Sequence, residues 1–266
     1  MNAVAVIPAR YASARFPGKP LASQTGKFLI QHVFDQVTKA RFLDRVIVAT
    51  DDQRIVDAVT SFGGEARMTD RNHLTGTDRV GEVAEMLKLG DDDLVLNVQG
   101  DEPEIRPDSL DCLVERMVAA ESDVRIGTLA ACFDDDGPVE GAGSPLDPNC
   151  VKVVLDEGGR ALYFSRSLVP FPRDRSGKVE KASRWLLHLG VYAFRADALR
   201  QVTGGRLQPT RLEKIESLEQ LRWLGAGYPI AVVKVKERMV GIDTPQDYAA
   251  FVERYEAMQG GVNVSS

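Results

Sequence analysis

The residues best suited to chemistry lie in the stretch Ile7–Leu21, which reads IPARYASARFPGKPL. It carries Arg10, Arg15 and Lys19, with Ala12 and Ala14 flanking Ser13 and with prolines at 8, 17 and 20. Small residues let a backbone approach a ligand closely, and prolines hold a loop in shape before anything binds. Arg10 and Lys19 have the charge to neutralise a polyphosphate. The stretch lacks the spacing of a Walker A loop and of a G-x-G-x-x-G turn. Spacing alone favours a solvated basic surface loop, since basic loops are common, and does not decide the matter.

A second group is acidic. Gln99-Gly100-Asp101-Glu102-Pro103 follows the apolar run Leu94–Val98, and Gly241-Ile242-Asp243 precedes Thr244-Pro245. One or two carboxylates suffice for magnesium, which prefers oxygen donors and keeps several waters. Taken singly, Asp101 is also an ordinary loop aspartate, and Asp243 the start of a helix. The histidines, His32, His73 and His188, lie far from one another and from the cysteines, so a zinc site is not expected. No G-x-S-x-G elbow offers a nucleophile.

The elements that must position these groups alternate. Ala3–Ile7, Arg45–Thr50 and Leu94–Val98 read as strands. Helices are expected at Leu29–Val37, Asp51–Phe62 and Asp78–Leu87. Such alternation implies a largely parallel sheet, with ligands beyond the carboxyl ends of its strands. The middle differs: Val124–Cys132, Cys150–Leu155, Ala161–Arg166 and His188–Phe194 read as antiparallel strands. Residues 134–149 and 173–183 read as surface connectors. One helix is expected over Thr210–Leu224, with Leu212, Ile215, Leu218 and Leu221 inward. A strand at Ile230–Val235 and a closing helix at Pro245–Met258 complete the chain. It is expected to form a single domain over 1–258, with a strand-rich portion at about 124–194 and a frayed tail at 259–266.

The chain has 266 residues, 44% of them hydrophobic and 27% charged, with a formal net charge of −6. That balance argues against nucleic-acid binding. No apolar run reaches the roughly 20 residues of a membrane span, and the N-terminus does not resemble a signal peptide. Cys112, Cys132 and Cys150 suggest no disulfide framework, and partly buried, inert thiols in a reducing cytoplasm are expected.

The loop at 7–21 resembles the signature of the 3-deoxy-manno-octulosonate cytidylyltransferases, close to I-P-A-R-x-x-S-x-R-x-P-G-K-P-L. The resemblance extends to HLTGTDRVGEV (73–83), NVQGDEP (97–103), PNCVKVVLDEGGRALYFSR (148–166), HLGVYAF (188–194), LEKIESLEQLR (212–222) and GIDTPQDY (241–248). Sialic-acid cytidylyltransferases share the I-P-A-R start but continue through a glycine-rich, Lys-containing stretch where Tyr11-Ala12 stands here. Connectors 134–147 and 172–185 depart most from the pattern.

The resemblance implies a nucleotide-diphosphosugar-transferase-like α/β fold, with a mixed sheet and helices on both faces. It implies an enzyme that joins CTP to 3-deoxy-D-manno-octulosonate (KDO) for lipopolysaccharide biosynthesis. Arg10, Lys19, Asp101 and Asp243 are implied as catalytic, and Asp101 and Asp243 as ligands of Mg2+. Ala9, Arg10, Lys19, Thr75, Gly76, Thr77, Arg79, Gln99 and Asp101 are implied for the nucleotide. Arg166, His188, Tyr192, Glu219 and Gln220 are implied for the sugar; Glu102, adjacent to Asp101, is expected to point elsewhere and to support the site from behind. A cytoplasmic homodimer that neither binds nucleic acid nor inserts in a membrane is the family expectation. A cytidylyltransferase for another acidic sugar, such as sialic acid or an amino analogue of KDO, and a non-catalytic nucleotide-binding module are the alternatives.

Overall fold

The structure is a computed structural model that describes residues 1–13, 15–238 and 241–262. Ala14 of the basic loop and residues 263–266 of the expected tail lie outside the described residues. The chain divides into two compact units. One comprises Asn2–Lys88, Asn97–Asp108 and the C-terminal segment, and the other Leu89–Leu96 and Ser109–Arg238 together with Met1.

In the first unit, β1 (Ala3–Ala9), β2 (Arg45–Thr50) and β3 (Glu65–Met68) run parallel. Val4 pairs with Arg45 and Ala9 with Thr50, and Ile47 pairs with Glu65. Nearly every residue of β1 and β2 is buried, so these strands read as continuous apolar runs rather than alternating ones. Helices α1 (Leu29–Val37), α2 (Gln53–Ser61) and α3 (Gly76–Met86) pack against them. Asp52 caps α2 by accepting from the Arg54 N–H, and Thr75 caps α3 by accepting from Asp78. The last helix, α8 (Pro245–Val262), continues beyond the expected end at Met258. Its Tyr248 and Phe251 pack with Leu29 and Ile242.

The second unit is mixed. Its strands follow the order β4 (Leu94–Asn97), β8 (Leu186–Arg195), β5 (Ile126–Cys132), β9 (Ile230–Val235). β5 runs antiparallel to β8 and parallel to β9. The hairpin of β6 (Lys152–Leu155) and β7 (Ala161–Ser165) joins β8 through Lys152 opposite Leu187. A Cβ on Gly127 of β5 would stand 2.6 Å from Met117 Sδ, so this glycine lets α4 (Pro107–Val118) pack close.

Several elements depart from the sequence reading. β3, α4 and α5 (Ala196–Val202) were not expected, although Leu110, Leu113, Val114 and Met117 carry a helical spacing. The single helix expected over 210–224 is two, α6 (Arg211–Glu216) and α7 (Gln220–Gly225). Ser217 breaks them in the left-handed conformation, φ 52°, while the Glu216 carboxylate bonds Ser165 Oγ and the Arg166 N–H. The break puts Leu212 and Ile215 in solvent, 49% and 67% exposed, and leaves only Leu218 and Leu221 buried. Cys112 and Cys132 are exposed rather than partly buried, because they occupy outward positions on α4 and at the end of β5.

Candidate active site

In the first unit, the loop after β1 folds over the end of its own strand. Gly18, φ +72°, donates its N–H to Tyr11 O at 2.9 Å, and a Cβ there would meet the Tyr11 ring at 3.2 Å. The Arg54 guanidinium lies 3.4 Å from the centre of the same Tyr11 ring, so a cation–π contact fixes the aromatic that shapes the loop. The loop and the QGD segment line a concavity of about 230 Å3, with Pro8, Arg10, Ser13, Lys19, Gln99 and Asp101 on its wall. Ala9 is buried beside it. Gly100 closes that wall: a Cβ there would stand 2.8 Å from Pro8 O, and only glycine permits the approach.

Lys19 gathers the acidic residues. Its Nζ donates to Asp101 Oδ2 at 2.7 Å and to Ile242 O at 2.6 Å, and lies 3.8 Å from Asp243 Oδ1. Arg15 pairs with Asp243 at 3.0 Å, a contact not anticipated from the sequence. The Ile242 N–H also donates to Asp101 O at 2.8 Å, which ties the two carboxylate-bearing segments together. Two carboxylates drawn to one positive charge, with oxygen-only donors, fit a hard divalent cation completed by substrate oxygens and water. No group of three or more His, Cys, Asp or Glu side chains suited to a metal occurs among the described residues. Next to Asp101, Glu102 has a buried Oε2 without a hydrogen-bond partner. Burial, and secondarily the Asp101 charge, push its carboxyl up to about 8.

The segment implied for the nucleotide is held from two sides. Arg10 donates to His73 O at 2.5 Å and Thr75 O at 3.4 Å, and the His73 ring meets Glu82 at 2.5 Å. Thr75 caps α3, and a Cβ on Gly76 would lie 3.4 Å from Pro8. Thr77 is buried and accepts from Asn97 Nδ2 at 3.3 Å. Arg79 is fully buried, with its guanidinium bonded to Asp51 at 2.8 Å and to Thr69. Its contacts thus support the α3 start from inside.

In the second unit, the residues implied for the sugar share β8 and the α6–α7 junction. His188 and Tyr192 stand with ring centroids 5.4 Å apart, on one face as the spacing predicts. Phe164 meets His188 edge-on at 4.9 Å, and Trp223 meets Tyr192 edge-on at 5.0 Å. Burial pushes the His188 imidazole down to about 3 and, with the Glu219 charge, raises the Tyr192 phenol. Glu219 precedes α7, and buried Gln220 opens it. Arg166 donates from Nε to Glu216 O, from Nη1 to Pro148 O and from Nη2 to Ser217 O. Those bonds engage three of its five N–H groups. Lys152, fully buried, donates to the carbonyls of Asp147, Cys150 and Arg166, and burial lowers its pKa. Neither Gly100, Thr128 nor Lys152 was singled out from the sequence. Only Gly100, a glycine beside two acids after a strand, offered a signal there.

No described helix is long and apolar enough to cross a membrane. The profile of the family described as Cytidylyltransferase matches residues 4–235. A 3-deoxy-manno-octulosonate cytidylyltransferase of Syntrophobacter fumaroxidans is 47% identical over 95% of this chain and 96% of its own length. The enzyme of that name from Pelobacter propionicus is 46% identical over 97% and 99%. Among solved structures, CMP:2-keto-3-deoxy-manno-octonic acid synthetase complexed with CTP superposes with a TM-score of 0.83 at 39% identity, over 98% of this chain and 99% of that one. A cytidylyltransferase of Leptospira borgpetersenii, 15% identical with a TM-score of 0.60 over 95% of this chain and 85% of that one, shares the fold. By profile, by sequence over nearly its full length and by fold, this chain belongs to the 3-deoxy-manno-octulosonate cytidylyltransferase family.

Proposed function

We propose that the protein transfers CMP from CTP to the anomeric hydroxyl of KDO and releases pyrophosphate, supplying activated sugar for lipopolysaccharide assembly. The observation that carries this reading is Lys19 holding Asp101 and Asp243 at the edge of a basic, glycine-closed concavity. The sugar hydroxyl attacks the α-phosphate in line, so no protein nucleophile is required. Arg10 and Lys19 offset charge on the triphosphate as the pyrophosphate departs. Asp101 and Asp243 would hold Mg2+, which when bound supplies positive charge at the reacting phosphates.

The N-terminus of α3, with Thr75 and Gly76, offers backbone N–H groups to the nucleotide, and Gln99 adds an amide. Thr77 and Arg79 keep that segment in place. For the sugar, Arg166 has two N–H groups beyond its carbonyl bonds to meet the carboxylate. His188, Tyr192, Glu219 and Gln220 meet its hydroxyls. A cytoplasmic homodimer is part of the same reading.

Pyrophosphate release with CTP or UTP against a sugar panel tests it. The expected result is turnover with CTP and KDO, and at least about a hundred-fold less with UTP, because uracil leaves buried partners of the cytosine amino group unpaired. Faster turnover with sialic acid or the amino analogue would transfer the assignment to that sugar. No release with any acidic sugar would leave only nucleotide binding.

A further inference from the structure

Between β5 and β8 the ladder slips. Leu129 pairs with Leu189, so an unbroken ladder would set Thr128 opposite Gly190, yet Thr128 stands opposite Tyr192. The fully buried Thr128 hydroxyl lodges in this bulge, 2.7 Å from Val191 O, 3.3 Å from Leu189 O and 3.0 Å from His188 Nε2. Bulges commonly re-aim a side chain beside a site.

The hydroxyl has one proton, and a carbonyl oxygen can only accept. The proton therefore goes to Val191 O, the shorter contact, and Thr128 Oγ1 must accept from His188. That requires N–H at Nε2. A neutral imidazole has one such proton, so Nδ1 keeps its lone pair. Nδ1 has no hydrogen-bond partner among the described residues, and His188 is only partly buried. Beside it, Tyr192 is 6% exposed and its Oη is buried without a partner. A bare acceptor and a phenolic donor on adjacent rings match what a polyhydroxylated ligand needs.

We propose that Thr128 is a positioning residue whose hydroxyl, seated in the β5–β8 bulge, holds His188 as the Nε2–H tautomer and presents Nδ1 as an acceptor for a hydroxyl of the acidic sugar. This rests on the reading that His188 lies in the sugar site. Burial of the ring supports it by keeping the imidazole neutral across the working pH range.

The test joins tautomer spectroscopy to kinetics. Long-range 1H–15N correlation distinguishes the two tautomers, and with only three histidines the His188 signals are assigned from H188Q. Wild-type protein should show Nε2–H at His188. Thr128→Val should convert it to Nδ1–H or a mixture and raise KM for KDO about ten-fold, the effect of one hydrogen bond. KM for CTP should not change, and Thr128→Ser should restore both tautomer and KM. Nδ1–H at His188 in the wild type overturns the proposal without any variant. So does Thr128→Val with Nε2–H and KM for KDO both unchanged. If the tautomer follows Thr128 but neither Thr128→Val nor His188→Gln alters KM for KDO, the tautomer lock stands. The sugar-site reading of His188, and the role in binding derived from it, then fall.

Discussion

In the loops after β1 and β4 and ahead of α8, the candidate groups are charged and reach solvent: Lys19, Asp101, Asp243 and Arg15 form one chain of ion pairs, and the Asp243 side chain is 51% exposed. On β8 and α7 the candidate groups are neutral and partly or fully buried. His188 is kept uncharged, Tyr192 Oη and Trp223 Nε1 are buried without partners, and Gln220 is 5% exposed. The first region is organised by Coulomb attraction within short loops, the second by packing of rings across strands. A triphosphate and its metal bring large charges that such charged groups can offset. A sugar brings hydroxyls, whose recognition depends on the direction of each hydrogen bond and so on a rigid frame.

The largest expected effect tests the charged region. Asp101→Asn keeps volume and removes one carboxylate charge. kcat should fall about a hundred- to a thousand-fold, the range for losing one electrostatic contact to a transition state, and the unfolding midpoint should move little because Asp101 is partly exposed. Turnover near wild type at saturating magnesium would remove Asp101 from the metal site.

The enclosed region should answer to acid instead. The His188 pKa falls from its usual 6.5 to about 3 on folding. Above 6.5 both folded and unfolded chains carry neutral imidazole, so nothing is lost. As pH falls through the window from 6.5 to 3, only the unfolded chain takes the proton, and folding loses at most about 1.4 kcal/mol per pH unit. His188→Gln removes that dependence. Measured by urea unfolding, the variant should gain up to about 2–3 kcal/mol on the wild type between pH 7.5 and pH 4.5. An equal difference between the two proteins at both pH values would show that His188 titrates as freely as an exposed imidazole.

Gly100 is where the charged region also depends on close packing. A Cβ 2.8 Å from Pro8 O forces β1 and the QGD segment apart. Gly100→Ala should cost about 1–3 kcal/mol, typical of overpacking. Part of that cost should appear as weaker CTP binding in calorimetry. Unchanged affinity would mean that the loop yields without disturbing the nucleotide site.

The same contrast separates what is legible in the sequence from what is not. Lys19, Asp101 and Asp243 stand in loops where glycine, proline and charge cluster, which marks them as loop residues because composition is local, but only the family resemblance singles them out for chemistry. His188 and Tyr192 were placed on one face because strand periodicity is local too. Thr128 gives no signal: the role proposed for it depends on a register slip against a strand some sixty residues later in the chain. The resemblance implies Arg79 for the nucleotide, and its guanidinium bonds Asp51, a pairing that spacing along α3 does not show. The helix expected over 210–224 failed for a related reason. Helical spacing persists through Ser217, but Glu216 is anchored by Ser165 and Arg166, distant partners that stop the helix.

That break gives the smallest predicted effect and a direct check on the divided helix. In one continuous helix, Leu212, Ile215, Leu218 and Leu221 would form a single buried stripe, and truncating any of them would cost a core residue's burial. In α6 and α7 they separate: Ile215 is 67% exposed and Leu221 2% exposed. Leu221→Ala should therefore cost about 2–5 kcal/mol, from lost transfer energy and the cavity left behind. Ile215→Ser should stay within about 0.5 kcal/mol, as for surface positions away from special features. Denaturant unfolding of the two variants separates the cases, since the unfolding slope is common to both and the midpoints alone report the difference. Matching losses would restore the single helix with its inward stripe. A loss at Ile215 that grows with protein concentration would instead mark α6 as a surface covered by a second copy of the chain, because self-association stabilises by mass action and burial within one chain does not.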